Sequence, residues 1–391
     1  MPQVPEVFAP AQLGPLTLSN RVIKAATFEG RTPDALVTDD LVDYHLRVAR
    51  GGAAMTTLAY LAVSPEGRTD RQQIFLRREA VPGLQKLTAA VHAEGAAVAA
   101  QLGHAGPVAN GRSNQARAIS SSRLPSPLSM QMVRTANEAD IRRVTRDYVD
   151  GARIAVSSGF DCLELHLGHN YLLSSFLSPN LNRRRDRWGG SLENRSRFPR
   201  QVVRAVREAV GDAAAVTAKI NMSDGVSAGM GLEESLEFAS MLEYDGGLDA
   251  LQLSGGSSLL NPMYLFRGAV PIEEFAATMP LVQRLGMRMV GKRVLRSYPF
   301  EEAYLLPHAR RFRAALEMPL ILLGGINRRE TLDLAMDEGF EFVAMARALL
   351  REPDLVNRMQ ADQTAAGVCI HCNQCMPTIY SGTRCVLVDA N

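Results

Sequence analysis

GFDCLELHLGHNYLLSSFLSPNLNRRRDRWGGSLENRSRF, residues 159–198, decides how the whole chain is read. Residues 162–165 alternate and run apolar like a buried strand, so His166 falls at its carboxyl end, with His169 and Tyr171 in the loop beyond. Polar groups gathered at the carboxyl end of a strand point to catalysis. An Arg-, Asp- and Gly-rich loop then leads into a helical pattern over 192–210.

Outward from this block the same grammar repeats. Short β-rich runs are expected at 22–26, 53–58, 97–101, 162–166, 215–220, 250–254, 320–323 and 342–345. Helix-like segments at 39–50, 81–94, 138–157, 192–210 and 328–338 lie between them, several opening with Asp, Asn or Ser near the cap. Such alternation predicts an α/β fold of the (β/α)8 TIM barrel type. The rival, a doubly wound open sheet, lacks support because no G-x-G-x-x-G follows the first strand. Two connections, 102–137 and 255–319, exceed a bare βα unit. The second contains Tyr264, Arg267, Tyr298 and Tyr304, and long barrel loops shape the substrate mouth. The plausible boundary falls near Gly367, dividing a barrel of residues 1–366 from a Cys-rich tail of residues 367–391 that is expected to pack on the barrel.

Composition sets the outer limits. The 391 residues are 46% hydrophobic and 21% charged, which excludes the disordered class. The 43 basic and 41 acidic residues nearly cancel, giving no broad field for nucleic acid or an anionic membrane. Arg183, Arg184, Arg185 and Arg187 form one local cluster, read as a solvated or ion-paired loop. The start, MPQVPEVFAP, has no basic segment followed by an apolar stretch, and no uncharged run is long enough to span a bilayer. A cytoplasmic protein is expected, with homo-oligomerisation left open. Four of the five cysteines crowd into the tail, unlike a disulfide framework, and Cys162 reads as a buried inert thiol.

The opening block, QLGHAG (Gln101 to Gly106), LLGGI (Leu322 to Ile326) and AMAR (Ala344 to Arg347) together resemble the old yellow enzyme family of FMN-dependent oxidoreductases over nearly the full chain. Phe176 to Phe198 is the most particular part of the match. The resemblance implies a barrel carrying FMN at its carboxyl face, NAD(P)H as reductant and an enone-like substrate. His166 and His169 would act as paired N–H donors to an oxygen gaining negative charge, where loss of one donor costs about 3 kcal/mol. Tyr171 aligns with the family's proton donor, and a phenol stays protonated at neutral pH. A pair of satisfied polar histidines and a packed tyrosine are the plainer readings.

Flavin contacts carry over by position. Gln101 would bond the pyrimidine edge. Gly324 and Gly325 after strand seven, with Ala346 and Arg347 after strand eight, occupy the place where barrels bind phosphate. Lys219 stands where the family usually has Arg, and as a buried charge it requires a partner. At the first strand Ala25, Ala26, Thr27 and Phe28 replace a Pro-rich segment. Phe28 falls at the position of a Thr or Cys that faces the flavin, and a one-residue slip would put Thr27 there. Tyr60, ending strand two, either walls the pocket or packs in the core.

The tail motif CIHCNQC followed by Cys385 spaces Cys369, Cys372 and Cys375 regularly, which suggests metal. It resembles the cluster motif of multidomain relatives such as dienoyl-CoA reductase and trimethylamine dehydrogenase. That resemblance implies a [4Fe-4S] cluster ahead of a zinc site assisted by His371, with plain reduced thiols as the third reading. The expected function is an FMN-dependent ene-reductase reducing the C=C bond of α,β-unsaturated carbonyl compounds. One alternative is an FMN/iron-sulfur dehydrogenase or dienoyl-type reductase exchanging electrons with an external carrier. The other is a non-catalytic flavin- or anion-binding barrel.

Overall fold

The computed structural model describes residues 6–126, 129–279, 281–379 and 381–388, so the first five positions and the last three, both included in the expected two-part division, lie outside the described residues. Eight parallel strands close into a barrel. They are β1 (Val22–Lys24), β2 (Met55–Ala62), β3 (Ala97–Gly103), β4 (Cys162–Leu167), β5 (Ala215–Asn221), β6 (Ala250–Ser254), β7 (Leu320–Leu323) and β8 (Phe342–Met345). Each strand pairs with its sequence neighbour and β8 closes on β1. The expected (β/α)8 barrel is the fold observed.

The strands read as near-continuous apolar runs because both faces are covered. Val98, Ala100, Leu163, Leu165, Val216 and Ala218 point outward and pack under the helices. Ile23, Met55, Ala99, Cys162, Ala215, Ala250, Ile321 and Phe342 point inward and fill the lower half. Cys162 is fully buried there, and desolvation pushes its thiol well above the usual range, as expected for an inert core cysteine.

The helices begin where their caps predict. Thr38 caps α1 (Asp39–Arg50) by accepting from the Leu41 N–H, and Asn137 forms a reciprocal capping box with Asp140 at α2 (Glu138–Ser157). Ser191 caps α3 (Leu192–Val210) through the Asn194 N–H. Loss of such a cap costs about 1 kcal/mol, so these residues fix where each helix enters the barrel wall.

Two features were not read from the sequence. An antiparallel hairpin, Ala11–Leu13 with Leu16–Leu18, seals the amino end of the barrel, its Leu13 and Leu18 packed against Ile23, Met55 and Phe342. The connection 102–137 carries a small three-stranded sheet, and 255–319 carries the helices Pro262–Phe266, Ile272–Ala277, Leu281–Val294 and Leu306–Ala315. The tail is strapped across the barrel mouth. Asn373 Nδ2 donates to the carbonyls of Arg267 and Ala269, both at 2.9 Å. The Thr383 N–H donates to Glu29 O at 2.7 Å, and Arg31 donates to Thr383 O at 2.8 Å. No helix among the described residues is long and apolar enough to cross a membrane.

Candidate active site

Strand alternation builds the site in layers. On β4 the inward residues are Cys162, Glu164 and His166. The register sets Glu164 beside Gln101 of β3 and His166 beside Lys219 of β5. Gln101 Nε2 donates to Glu164 Oε1 at 2.5 Å, and Lys219 Nζ pairs with the same oxygen at 3.1 Å, all three buried. Glu164 is thus the partner that a buried Lys219 demands. Sequence reasoning missed it, although its place two residues before His166 in CLELHL put it on the same face. In the same layer Gln252 Nε2 is buried without a hydrogen-bond partner.

Above this layer stands the His/Tyr group. The rings of His166 and Tyr171 stack with centroids 4.4 Å apart and planes within 6° of parallel, and His169 meets His166 edge-on at 5.0 Å. The expected trio is therefore brought together. His169 has a left-handed backbone (φ 58), held by its N–H donating to Asn221 Oδ1 at 3.0 Å, and its Nε2 lies 2.9 Å from Ser254 Oγ. With Ser254 donating, the remaining proton sits on Nδ1. His166 Nδ1 accepts from the Gly168 N–H at 3.3 Å, which leaves Nε2–H as its donor. Burial, aided by Lys219, lowers the His169 pKa to about 3, and burial with His169 nearby pushes His166 well below its ordinary value. Both rings are neutral donors at neutral pH.

Tyr60 walls the group: it is buried, its ring meets Tyr171 at 5.4 Å, and its hydroxyl donates to Gly67 O at 2.9 Å. At the end of β1, Ala26 and Phe28 pack into the same cluster as Tyr60 and Tyr171, while Ala25 belongs to the barrel interior. The Thr27 hydroxyl donates to Ala25 O at 3.1 Å and neighbours the Tyr44 phenol. Phe28 packs in the cluster that holds Tyr60 and Tyr171, whereas the Thr27 hydroxyl turns toward Ala25 and Tyr44. The Arg cluster serves the loop itself. Arg184 bonds Asp186 and the carbonyls of Ser121 and Ala136.

At the ends of β7 and β8, Gly324 and Gly325 have φ of 110° and 76°, and a Cβ on either would lie 2.6 or 2.5 Å from the Leu305 or Tyr304 side chain. Only glycine fits there, which lets the Leu305 and Tyr304 side chains pack directly on the backbone at the ends of β7 and β8. Ala346 precedes the short helix Arg347–Arg351, and Arg347 Nη1 donates to Arg267 O at 3.1 Å and to Asn373 Oδ1. The unpartnered Gln252 amide and the polar layer beneath the His/Tyr group suit FMN, whose ring offers acceptor edges.

Cys369, Cys372, Cys375 and Cys385 line one cavity with Arg347, Arg351 and His371. All four are free thiols, and burial raises Cys375 to about 11. Among the described residues no three His, Cys, Asp or Glu converge on the geometry of a single ion. His371 stacks on Phe300, with Cys369 Sγ 3.8 Å from its Nδ1.

A barrel with a buried polar layer and a neutral donor pair at its mouth is the frame of a flavin oxidoreductase. The family model for NADH:flavin oxidoreductase / NADH oxidase matches residues 6–249, and the chain belongs to that family. A 4,4'-dithiodibutanoate disulfide reductase from Rhodococcus erythropolis is 59% identical over 99% of this chain and 96% of its own length. A metal reductase from Desulforamulus reducens is 30% identical over 96% of this chain but 52% of its own, so the chain spans about half of that longer relative. Among solved structures, morphinone reductase in complex with tetrahydroNAD superposes with a TM-score of 0.70 at 25% identity, covering 93% of this chain and 92% of the other. The protein is an FMN-dependent NAD(P)H oxidoreductase, as expected from its sequence.

Proposed function

We propose that the protein reduces small electrophiles at the His166/His169/Tyr171 face, and the stacking of Tyr171 on His166 beside His169 is the observation that carries this reading. FMN bound at this face would supply two-electron chemistry, taking hydride from NAD(P)H and passing it to substrate. Gln101 and Lys219 would hold its pyrimidine edge, with Ala25, Ala26, Thr27, Phe28 and Tyr60 flanking the ring. Gly324, Gly325, Ala346 and Arg347 would hold its phosphate.

The side chains then manage charge and protons. The two neutral imidazoles donate to the atom on which negative charge develops, and Tyr171 donates the proton that completes reduction. Small organic disulfides are the first substrate class, supported by the 59%-identical relative. There, RSSR with NAD(P)H and H⁺ gives two RSH and NAD(P)⁺, the released thiolate being stabilised by the histidines and protonated by Tyr171. Activated alkenes are the second, favoured by the donor pair itself. In that case the carbonyl oxygen gains the charge and Tyr171 protonates the α-carbon.

Residues 367–391 act in this reading as a Cys-rich tail docked on an FMN barrel of residues 1–366. The regular spacing of Cys369, Cys372 and Cys375 with Cys385 favours a [4Fe-4S] cluster over zinc, and with it the alternative of electron exchange with an external carrier, although the four thiols that line one cavity do not converge on a single ion among the described residues. Iron and acid-labile sulfide analysis tests this directly. For the main reading, anaerobic NADH or NADPH should bleach the yellow protein, and 4,4'-dithiodibutanoate or cyclohexenone should restore its colour. With the disulfide, two thiols should appear per nicotinamide oxidised. Recolouring by neither substrate sinks the substrate reading; failure to bind FMN on reconstitution sinks the flavin roles.

A further inference from the structure

Arg267, in the long connection after β6, is a guanidinium that the reaction above leaves without a task. It follows the helix Pro262–Phe266 with φ 45°, a conformation L side chains rarely adopt, and its carbonyl is pinned by Arg347 at 3.1 Å and Asn373 at 2.9 Å. Its guanidinium lies 5.3, 5.4 and 5.1 Å from the ring centroids of Tyr264, Tyr298 and Tyr304. Aromatic faces stabilise a cation yet give it no acceptor in the plane of its N–H groups. The Nε is buried with no hydrogen-bond partner, and no Asp or Glu among the described residues pairs with this side chain. An arginine fixed in place, stripped of water on one edge and given no carboxylate is arranged to receive an anion from outside the chain.

The surroundings tie this cage to the reacting face. Tyr264 packs against Gly255, the residue after Ser254, whose hydroxyl meets His169. Tyr298 Oη accepts from Asn261 Nδ2 at 2.8 Å, Asn261 pairs with Ser257, and Ser257 bridges to His169. The Ser258 N–H also donates to His169 O at 3.1 Å. Packed and hydrogen-bonded loop residues between Ser254 and Tyr264 thus connect the cage to His169.

We propose that Arg267 is the carboxylate anchor of the substrate, selecting small organic acids whose reducible bond lies a short methylene arm from a carboxylate. The assignment rests on the reductase reading above and narrows its substrates to anions. Arg is suited to the task because its rigid fork grips both carboxylate oxygens.

The test compares 4,4'-dithiodibutanoate with its dimethyl ester in wild type, Arg267→Gln and Arg267→Lys. A hydrogen bond to a charged group makes a contribution of a size that should lower the acid-over-ester ratio of kcat/KM by roughly ten- to a hundredfold in the Gln variant, through KM. The Lys variant should recover part of that ratio, and both should keep their FMN absorbance. Equal losses for acid and ester, or release of FMN, overturn the anchor. Should the Gln variant not fold, the wild type serves: butanoate should perturb the bound-flavin spectrum and compete with the acid, whereas butanamide should do neither. The failures are separable. If wild-type reduced flavin is not reoxidised by either disulfide, the reductase reading fails, and butanoate binding to the oxidised wild type and Gln variant still decides the fate of Arg267, with equal affinity overturning it.

Discussion

The two ends of the barrel are made from the same eight strands and share almost nothing chemically. At the amino end the inward positions are Ile23, Met55, Ala99, Cys162 and Phe342, closed by Leu13 and Leu18 of the hairpin. A few residues further along, the inward positions become Gln101, Glu164, Lys219 and Gln252, and then His166, Asn221 and Ser254. Strand direction thus sorts the interior: packing accumulates where strands begin, chemistry where they end. Substitutions at the two ends should fail in different ways.

The largest effect is expected at the carboxyl end. Tyr171→Phe removes a proton donor while keeping the ring, so turnover should fall by about 10²- to 10⁴-fold with an unchanged melting temperature. Stopped-flow traces should show normal flavin reduction by NAD(P)H and a slowed oxidative half-reaction. Phe342→Ala makes the opposite incision. Emptying that buried position should cost about 3–5 kcal/mol in denaturant unfolding and leave kcat/KM per folded molecule near wild type. A catalytic collapse in the folded Phe342 variant, or a large stability loss in the Tyr171 variant, would erase the division between the ends.

Glu164 sits at the border and should show a little of both characters. Glu164→Gln leaves the Lys219 charge uncompensated, so stability should drop and the bound flavin should become easier to reduce. A rise in midpoint potential on the order of 30 mV, equivalent to about 1.4 kcal/mol for a two-electron couple, is measurable by anaerobic titration. A fall in potential would remove Lys219 from the flavin's neighbourhood.

The mildest test is pH. His169 titrates near 3 in the folded chain and near 6.5 when unfolded, so below pH 6.5 the unfolded chain binds a proton that the folded one does not. Stability should therefore fall as pH drops through 6.5, by about 1.4 kcal/mol per pH unit for this group, and continue falling toward pH 3. His169→Asn should flatten the dependence of melting temperature between pH 7.5 and 5. An unaltered slope would mean that His169 is not held neutral.

The same contrast explains what was legible in the sequence. The barrel strands were readable because burial on both faces leaves apolar runs, and the start of α1, α2 and α3 because Thr38, Asn137 and Ser191 announce them. His166, His169 and Tyr171 stood out as polar residues ending such a run. The plugging hairpin was invisible because its strands are three residues each and too short to show a period. Glu164 went unremarked inside a strand read as alternating and apolar, and its pairing with Lys219 depends on register across β4 and β5. The Arg267 cage joins Tyr264, Tyr298 and Tyr304, whose meeting depends on how a long loop folds back on itself, and no local pattern encodes that.

The strap from Thr383 to Phe28 carries a consequence for assembly. This hydrogen bond joins residues 355 positions apart, and it has nothing to grip until β8 has docked beside β1. The last segment to find its place would then be the one crossing the mouth, and a limited digest should clip it before the cylinder beneath yields.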